Sequence, residues 1–251
     1  MGKDWVGAAV AALGAFLLAE MAGGAEIRVL STNGVKTVVE ELAPQFEKAT
    51  QHKLAVSFAP AAELKAAIEK GAAFDLAILT AAAIDDLLRQ GRLVAATRAD
   101  IAKSGAGVAI RKGAARPDIS TAEAFRRSLL AAKSIAYVGT GATGANMTRI
   151  FERFGIAAEM KAKTRVLSGI SAPEAVARGE AELGFTQVSE ILPVAGAELA
   201  GLLPPEVQVY TIFAAAVGAS ARQSAAARSF LKVLTEPAAG AVIKAKGMER
   251  G

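Results

Sequence analysis

The stretch VLSTNGVKTVVEELAPQFEKATQHKLAVSF, residues 29–58, contains the junction on which the fold turns. A short apolar run stops at Ser31, Thr32, Asn33 and Gly34. A helical pattern then begins at once, with Val35, Val38, Val39, Leu42 and Phe46 on one face. A second apolar run, KLAVSFAP, follows. Strand, helix and strand therefore succeed one another, with Pro44 expected to kink or break the helix. Ser, Thr and Asn are favoured helix N-caps. The same groups suit an anion held at a helix N-terminus, so both readings of residues 31–34 are carried forward.

Working outward, AAELKAAIEKG reads as a second helix that stops at Gly71, FDLAILT as a continuously apolar third strand, and AAIDDLLRQGRL as a third helix. This alternation predicts a parallel sheet with helices on both sides. Beyond Ser104 come a strand in GVAIRKG, a helix in TAEAFRRSLLA capped by Thr121, and a strand in SIAYVG that enters the glycine-rich turn of TGATGANMTRIFERFGI. TRVLSGI reads as a strand, SAPEAVARGEA as a helix, ELGFTQVSEI as a strand entering a loop, and PEVQVYTIFAAAVGA as a long strand. Two helical pieces close the chain.

At the start, Lys3 precedes an uncharged apolar run over 5–19, and EMAGGA then offers small residues at Gly23 and Ala25. That order predicts a secretory signal over 1–25, cleaved after Ala25, and a periplasmic location. The apolar run is shorter than the ~20 residues a membrane span needs. There is no cysteine, so neither a disulfide nor a lipidated cysteine is available. The formal charge of +5 is interspersed along helices. With two Tyr and one Trp in the chain, the stacking aromatics and basic stripe of a nucleic-acid binder are missing.

Catalytic chemistry finds little in the residue inventory. The single histidine, His52, reads as part of a solvated turn, Asp75 as a cap, and Asp85 with Asp86 as a solvated helix face. One His and no Cys give no support to a histidine-based triad or a thiol nucleophile, and exclude a multi-histidine metal site. GTGATGAN approaches a dinucleotide fingerprint, with Glu159 at the ribose-binding distance, but an anion-binding helix start or a tight turn is the better reading in an exported chain. The expectation is a binding protein with no cofactor and no metal. Small polar or glycine residues recur at strand ends 31–34, 139–144, 168–171 and 186–189, and ligands sit just outside the carboxyl ends of strands in open α/β sheets.

These junctions, with IAYVGTGATGANMTRIFERFGI, SAPEAVARGEAELGFTQVSEI and the phrase EKGAAFDL, resemble the type II periplasmic solute-binding proteins, and among them the molybdate-binding components of ABC transporters. The resemblance covers nearly the whole exported chain. It implies an α/β fold of two lobes, each a central sheet flanked by helices, with lobe one at 26–104 and 211–251 and lobe two at 105–210. It further implies that a small anion is held by hydroxyls and backbone N–H groups in the interlobe cleft, captured by hinge closure, and delivered by a monomer to an ABC transporter membrane subunit.

Carried onto this sequence, the family's contacts fall on Ser31, Thr32 and Asn33, on Ala61 and Ala62, on Thr143, Gly144 and Ala145, on Gly169, Ile170 and Ser171, and on Gln187. Two places depart from the pattern. Pro60, Ala61 and Ala62 stand where serine hydroxyls are expected, and Gln187 stands where a tyrosine is common. Asn and Gln both donate and accept hydrogen bonds, which suits an organic acid better than molybdate. The expectation is a retained scaffold with an altered ligand. An exported sensor using the same cleft, or an exported hydrolase, are the alternatives.

Overall fold

The computed structural model describes residues 24–251; the signal reading at 1–23 lies outside the described residues. The first lobe opens with β1 (Glu26–Thr32), a 3-10 turn at Asn33–Val35, α1 (Lys36–Thr50), β2 (Lys53–Ala59), α2 (Ala61–Glu69), β3 (Leu76–Thr80) and α3 (Ala81–Arg89). β1 lies between β2 and β3 and parallel to both, with Val29 opposite Val56 and Leu76. Alternate residues of β3 enter different cores, Leu76 and Ile78 on one face, Ala77 and Leu79 on the other. This is why the run is apolar throughout: a strand covered on both faces has no solvent side. α1 runs through Pro44 without ending. Pro44 and Glu40 are exposed, so water can satisfy the carbonyl that the missing N–H leaves.

The chain leaves this lobe along β4 (Ala99–Arg111) and builds α4 (Ala122–Ala131), β5 (Ile135–Val138), α5 (Ala142–Arg153), α6 (Ala157–Lys163), β6 (Thr164–Leu167), α7 (Ala172–Ala177), β7 (Leu183–Gln187), the short α8 (Val188–Ile191) and β8 (Ala197–Leu202). It returns through β9 (Tyr210–Val217) and ends with α9 (Ser224–Thr235), α10 (Ala239–Ala245) and β10 (Glu249–Arg250). The sheet order is β2-β1-β3-β9-β4-β7-β5-β6, with β8 and β10 also pairing with β4. β4 therefore runs through both lobes. It pairs with β9 as far as Gly105 opposite Tyr210, and with β7 from Ala106 opposite Gln187.

Each lobe has its own core. Phe46, Phe213 and Phe230 anchor the first, Phe125, Phe151 and Phe185 the second. Fully burying such a ring contributes roughly 1.5–3 kcal/mol before ordering costs. Among the described residues, no helix is long and apolar enough to cross a membrane.

Four expectations need correction. The strands β1 to β3 are parallel as expected, but the sheet as a whole is mixed, because β9 runs antiparallel to β3 and β4, and β7 and β8 run antiparallel to β4. β4 begins at Ala99, eight residues before GVAIRKG, since ADIAKSGA carries too few β-branched or aromatic residues to signal a strand. Residues 188–191 form a helical turn, and the segment before Tyr210 is not strand. β8 and α6 gave no usable pattern in an alanine-rich sequence.

Candidate functional site

The segment that follows β1 meets the one that follows β7, where the Ser189 hydroxyl donates to the Gly34 carbonyl. On the first-lobe side, β1 ends in Ser31 and Thr32, both buried, while Asn33 is exposed. Neither Thr32, before the 3-10 turn, nor Val35, before α1, makes a side-chain cap bond. The helix-cap reading of 31–33 is thus corrected: the Thr32 hydroxyl makes no hydrogen bond among the described residues, and the Ser31 hydroxyl donates only to the Thr32 carbonyl at 3.3 Å. Gly34 is fixed by packing, since a Cβ there would lie 2.3 Å from Phe213 Cζ.

At the end of β2, Pro60 precedes α2 without a side-chain cap, and its carbonyl takes the N–H groups of Glu63 and Leu64. Ala61 is half-buried and Ala62 exposed. They occupy the first two helical positions, where N–H groups have no intrahelical acceptor. Beside them, Lys36 at the start of α1 stands 5.6 Å from the Phe58 ring centroid and 3.7 Å from Glu40. Its charge also acts on Glu174 in the other lobe, and sequence reasoning passed it over, as a charge in a helical pattern normally marks a solvated face.

In the second lobe, Gly141 begins α5. Gly144 is required there, because a Cβ would sit 2.5 Å from the Val138 carbonyl oxygen. Thr143 is buried and Ala145 exposed. The Thr143 hydroxyl accepts from Gln187 Nε2 at 3.2 Å, and the same nitrogen donates to Thr211 Oγ1 at 3.3 Å. Two of the sequence-derived candidates, Thr143 and Gln187, are therefore brought together. Thr211, on the returning strand β9, joins them as a third group. Asn146 shares the buried face of α5 with Thr143 and is 8% exposed, yet its carboxamide makes no hydrogen bond among the described residues.

Gly169 is exposed in the left-handed region, with φ +75°, and Ile170 packs on the apolar cluster under α7. Ser171 is occupied otherwise than expected. Its hydroxyl accepts the Glu174 N–H, while the Glu174 carboxylate accepts the Ser171 hydroxyl at 2.6 Å and the Ser171 N–H at 2.9 Å. The Ser171 hydroxyl, then the Ser171 N–H, hold the Glu174 carboxyl below its ordinary value, and the charges of Arg178 and Lys36 act in the same direction. A carboxylate of the protein itself thus sits at the start of α7, where the family resemblance implies a ligand oxygen.

The tip of β7 adds a further acidic group. Glu190 accepts the Thr186 hydroxyl and the Gln187 N–H. Burial pushes its carboxyl above the usual range, and those two donors only partly offset the effect. Next to it, Ser189 donates to the Gly34 carbonyl at 2.7 Å and lies 3.4 Å from the Ser104 hydroxyl, tying α8 to the first-lobe loop. His52 accepts the Ala25 N–H at 3.0 Å, and Asp75 is fully buried, so neither is the solvated turn or simple cap expected. No three His, Cys, Asp or Glu residues among the described residues are placed to hold a metal. An open groove of about 540 Å³ between α7 and residues 193–196 contains none of the candidate residues.

Comparison with known proteins bears on the family and the fold. The family model for bacterial extracellular solute-binding proteins matches residues 27–249. An aconitate isomerase from a Pseudomonas species is 33% identical over 249 residues, covering 95% of each chain. The molybdate-binding protein ModA of Azotobacter vinelandii is 31% identical over 190 residues, 72% of each chain. In structure, an Azotobacter vinelandii periplasmic molybdate-binding protein superposes with a TM-score of 0.76 at 22% identity, over 90% of this chain and 99% of that one.

Proposed function

The chain belongs to the bacterial extracellular solute-binding protein family, and we propose that its interlobe cleft takes a small polycarboxylic acid. The observation that carries this reading is the Thr143–Gln187–Thr211 cluster. With both Gln187 Nε2 hydrogens directed at Thr143 and Thr211, those two hydroxyls keep their own hydrogens, a pair of donors that suits the two oxygens of one carboxylate. The hydroxyls that the oxyanion-binding pattern implies are missing or taken: Pro60, Ala61 and Ala62 carry none, and Ser171 is engaged by Glu174. The relative named for aconitate, a tricarboxylate, supports the same ligand class.

On this reading the chain is exported, with lobe one at 26–104 and 211–251 and lobe two at 105–210. The ligand contacts are Ser31, Thr32 and Asn33, the N–H groups of Ala61 and Ala62, Thr143 to Ala145, the N–H groups of Gly169 and Ile170, and the cluster held by Gln187, while Ser171 is left to Glu174. Hinge closure about β4 and β9 traps the acid, and the closed monomer delivers it to an ABC transporter membrane subunit.

A second reading has a specific support. The relative that matches nearly the full length is named an isomerase. Interconverting unsaturated tricarboxylates can proceed by removing a proton from the methylene carbon and returning one to the former vinylic carbon, which moves the double bond. Glu190, beside Gln187, is the group suited to such transfer: burial raises its affinity for a proton, so its carboxylate form is a stronger base than an exposed one.

One experiment tests both readings. Purified protein, unfolded and refolded to strip carried-over ligand, is titrated calorimetrically with cis-aconitate, trans-aconitate, tricarballylate, molybdate and sulfate. The aconitates are also followed by proton NMR in heavy water. Carboxylate binding with no spectral change supports capture for transport. Deuterium entering the vinylic and methylene positions, with appearance of the other isomer, supports the enzyme. Binding of molybdate alone overturns the polycarboxylate reading.

A further inference from the structure

Asn146 is anomalous in the described structure. It is more than nine-tenths buried, yet neither its amide nitrogen nor its carbonyl oxygen has a hydrogen-bond partner among the described residues. Among the described residues no side-chain nitrogen or oxygen fully sealed from solvent lacks a partner, so the Asn146 head is reached by solvent and open to a ligand. Its position follows from helix geometry. Asn146 is three residues after Thr143, so the two share one face of α5, about 4.5 Å apart along the axis at 1.5 Å per residue. Thr143 on that face is in the cluster with Gln187 and Thr211.

A second buried, unpartnered hydroxyl lies on the first-lobe side. Thr32 is 5% exposed and its side chain neither caps the following turn nor bonds elsewhere among the described residues. Unpaired polar groups thus occur in both lobes, at the two strand–helix junctions taken as the cleft walls. In the Gln187 cluster both hydrogens of the amide nitrogen are taken, while the Thr143 and Thr211 hydroxyls keep their own to donate.

We propose that Asn146 is a ligand-reading residue of the cleft, one helical turn deeper than Thr143, and that its carboxamide takes a second carboxyl group of a polycarboxylate whose first carboxyl meets the Gln187–Thr143–Thr211 cluster. The inference rests on the polycarboxylate reading and sharpens it. A ligand with carboxyls on adjacent carbons spans the turn between Thr143 and Asn146. Asn146 is then what makes the site prefer a polycarboxylate to a ligand with a single carboxyl.

The test is a cycle between protein and ligand. Tricarballylate and its single-carboxyl analogue butyrate are titrated into the wild-type protein, Asn146→Ala and Asn146→Asp, with melting curves recorded for each. We expect Asn146→Ala to weaken tricarballylate about tenfold and butyrate less than about twofold. Asn146→Asp, close in size but adding a negative charge, should weaken tricarballylate further still. Equal losses for both ligands, or no loss, would overturn the inference by making Asn146 a structural residue or a bystander. Should Asn146→Ala fold poorly, Asn146→Asp against the same ligand pair decides. If the wild-type protein binds neither carboxylate, the polycarboxylate reading itself fails, an outcome distinct from losses confined to the variants.

Discussion

Ser189 and Gly34, 155 residues apart in the chain, are joined by a hydrogen bond of 2.7 Å from the serine hydroxyl to the glycine carbonyl. The bond links α8, which follows Gln187, to the loop that follows Ser31 and Thr32. It therefore couples the segments at the ends of β1 and β7 through one buried contact. Ser189→Ala should lower stability by about 1–2 kcal/mol, the usual cost of leaving a buried acceptor unpaired. Urea denaturation followed by circular dichroism reads this directly. A loss below a few tenths of a kcal/mol would mean the contact is incidental.

Gly34→Ala should be more damaging, for a different reason. Its Cβ would overlap the Phe213 ring at 2.3 Å, and Phe213 is 2% exposed in the first-lobe core. Such overpacking costs about 1–3 kcal/mol, and relief requires the loop at 33–35 to move outward. The same variant should therefore lose ligand affinity as well as stability. Gly34→Ala with unchanged melting temperature would show that Phe213 yields freely.

Much of this architecture was legible in the sequence because its strongest signals are local. The β1–α1–β2–α2–β3–α3 run follows from apolar periodicity, and the strand-end positions follow from where small polar residues interrupt it. What escaped notice depends on long-range pairing. β4 is held as a strand by β9, β7 and β8, although ADIAKSGA lacks β-branched residues at most positions. Thr211 and Asn146 gave no signal either. One is a threonine within a strand and the other an asparagine within a helix, and only the fold shows that the first meets Gln187 and the second has no partner. Ser171 was visible, but its engagement by Glu174 depends on a capping box, a spacing present in SAPE that can be read in hindsight.

Asp75 offers a test of how the first lobe is tied together. Its buried carboxylate accepts N–H groups from Arg28 at 2.8 Å, Arg222 at 2.8 Å and Gln223 at 3.0 Å, joining β1 to the start of α9. Asp75→Ala leaves three donors without an acceptor and should cost about 3 kcal/mol or more. Asp75→Asn, which keeps one acceptor oxygen, should cost less. The two variants measured by chemical denaturation should rank in that order, and equal losses would point to packing as the dominant contribution.

Glu190 predicts a pH dependence with a definite sign. Burial raises its carboxyl above the ordinary value of 4.5. The folded state therefore binds this proton more tightly than the unfolded state. Stability from this group is fully present below the unfolded value and is lost as pH rises through the higher folded value. Glu190→Gln cannot titrate. The wild type minus variant stability difference should thus fall as pH is raised from near the ordinary carboxylate value toward neutrality, and level off above the folded value. A difference that instead rises with pH would show the Thr186 and Gln187 donors outweighing burial.

The start of the folded chain yields the last prediction. Cleavage after Ala25 would remove a residue that the structure uses: the Ala25 N–H donates to His52 Nδ1 at 3.0 Å, the Ala25 carbonyl accepts the Lys53 N–H at 2.9 Å, and its side chain packs against the first-lobe core. Moving the cut one residue earlier, after Gly24, keeps small residues at the two positions a signal peptidase reads, Ala22 and Gly24. It also keeps Ala25, whose new terminal amine can still donate to His52. The intact mass of the exported protein should therefore correspond to a chain beginning at Ala25. A mass one alanine lower would place the cut after Ala25, and β1 would then start without its first two hydrogen bonds.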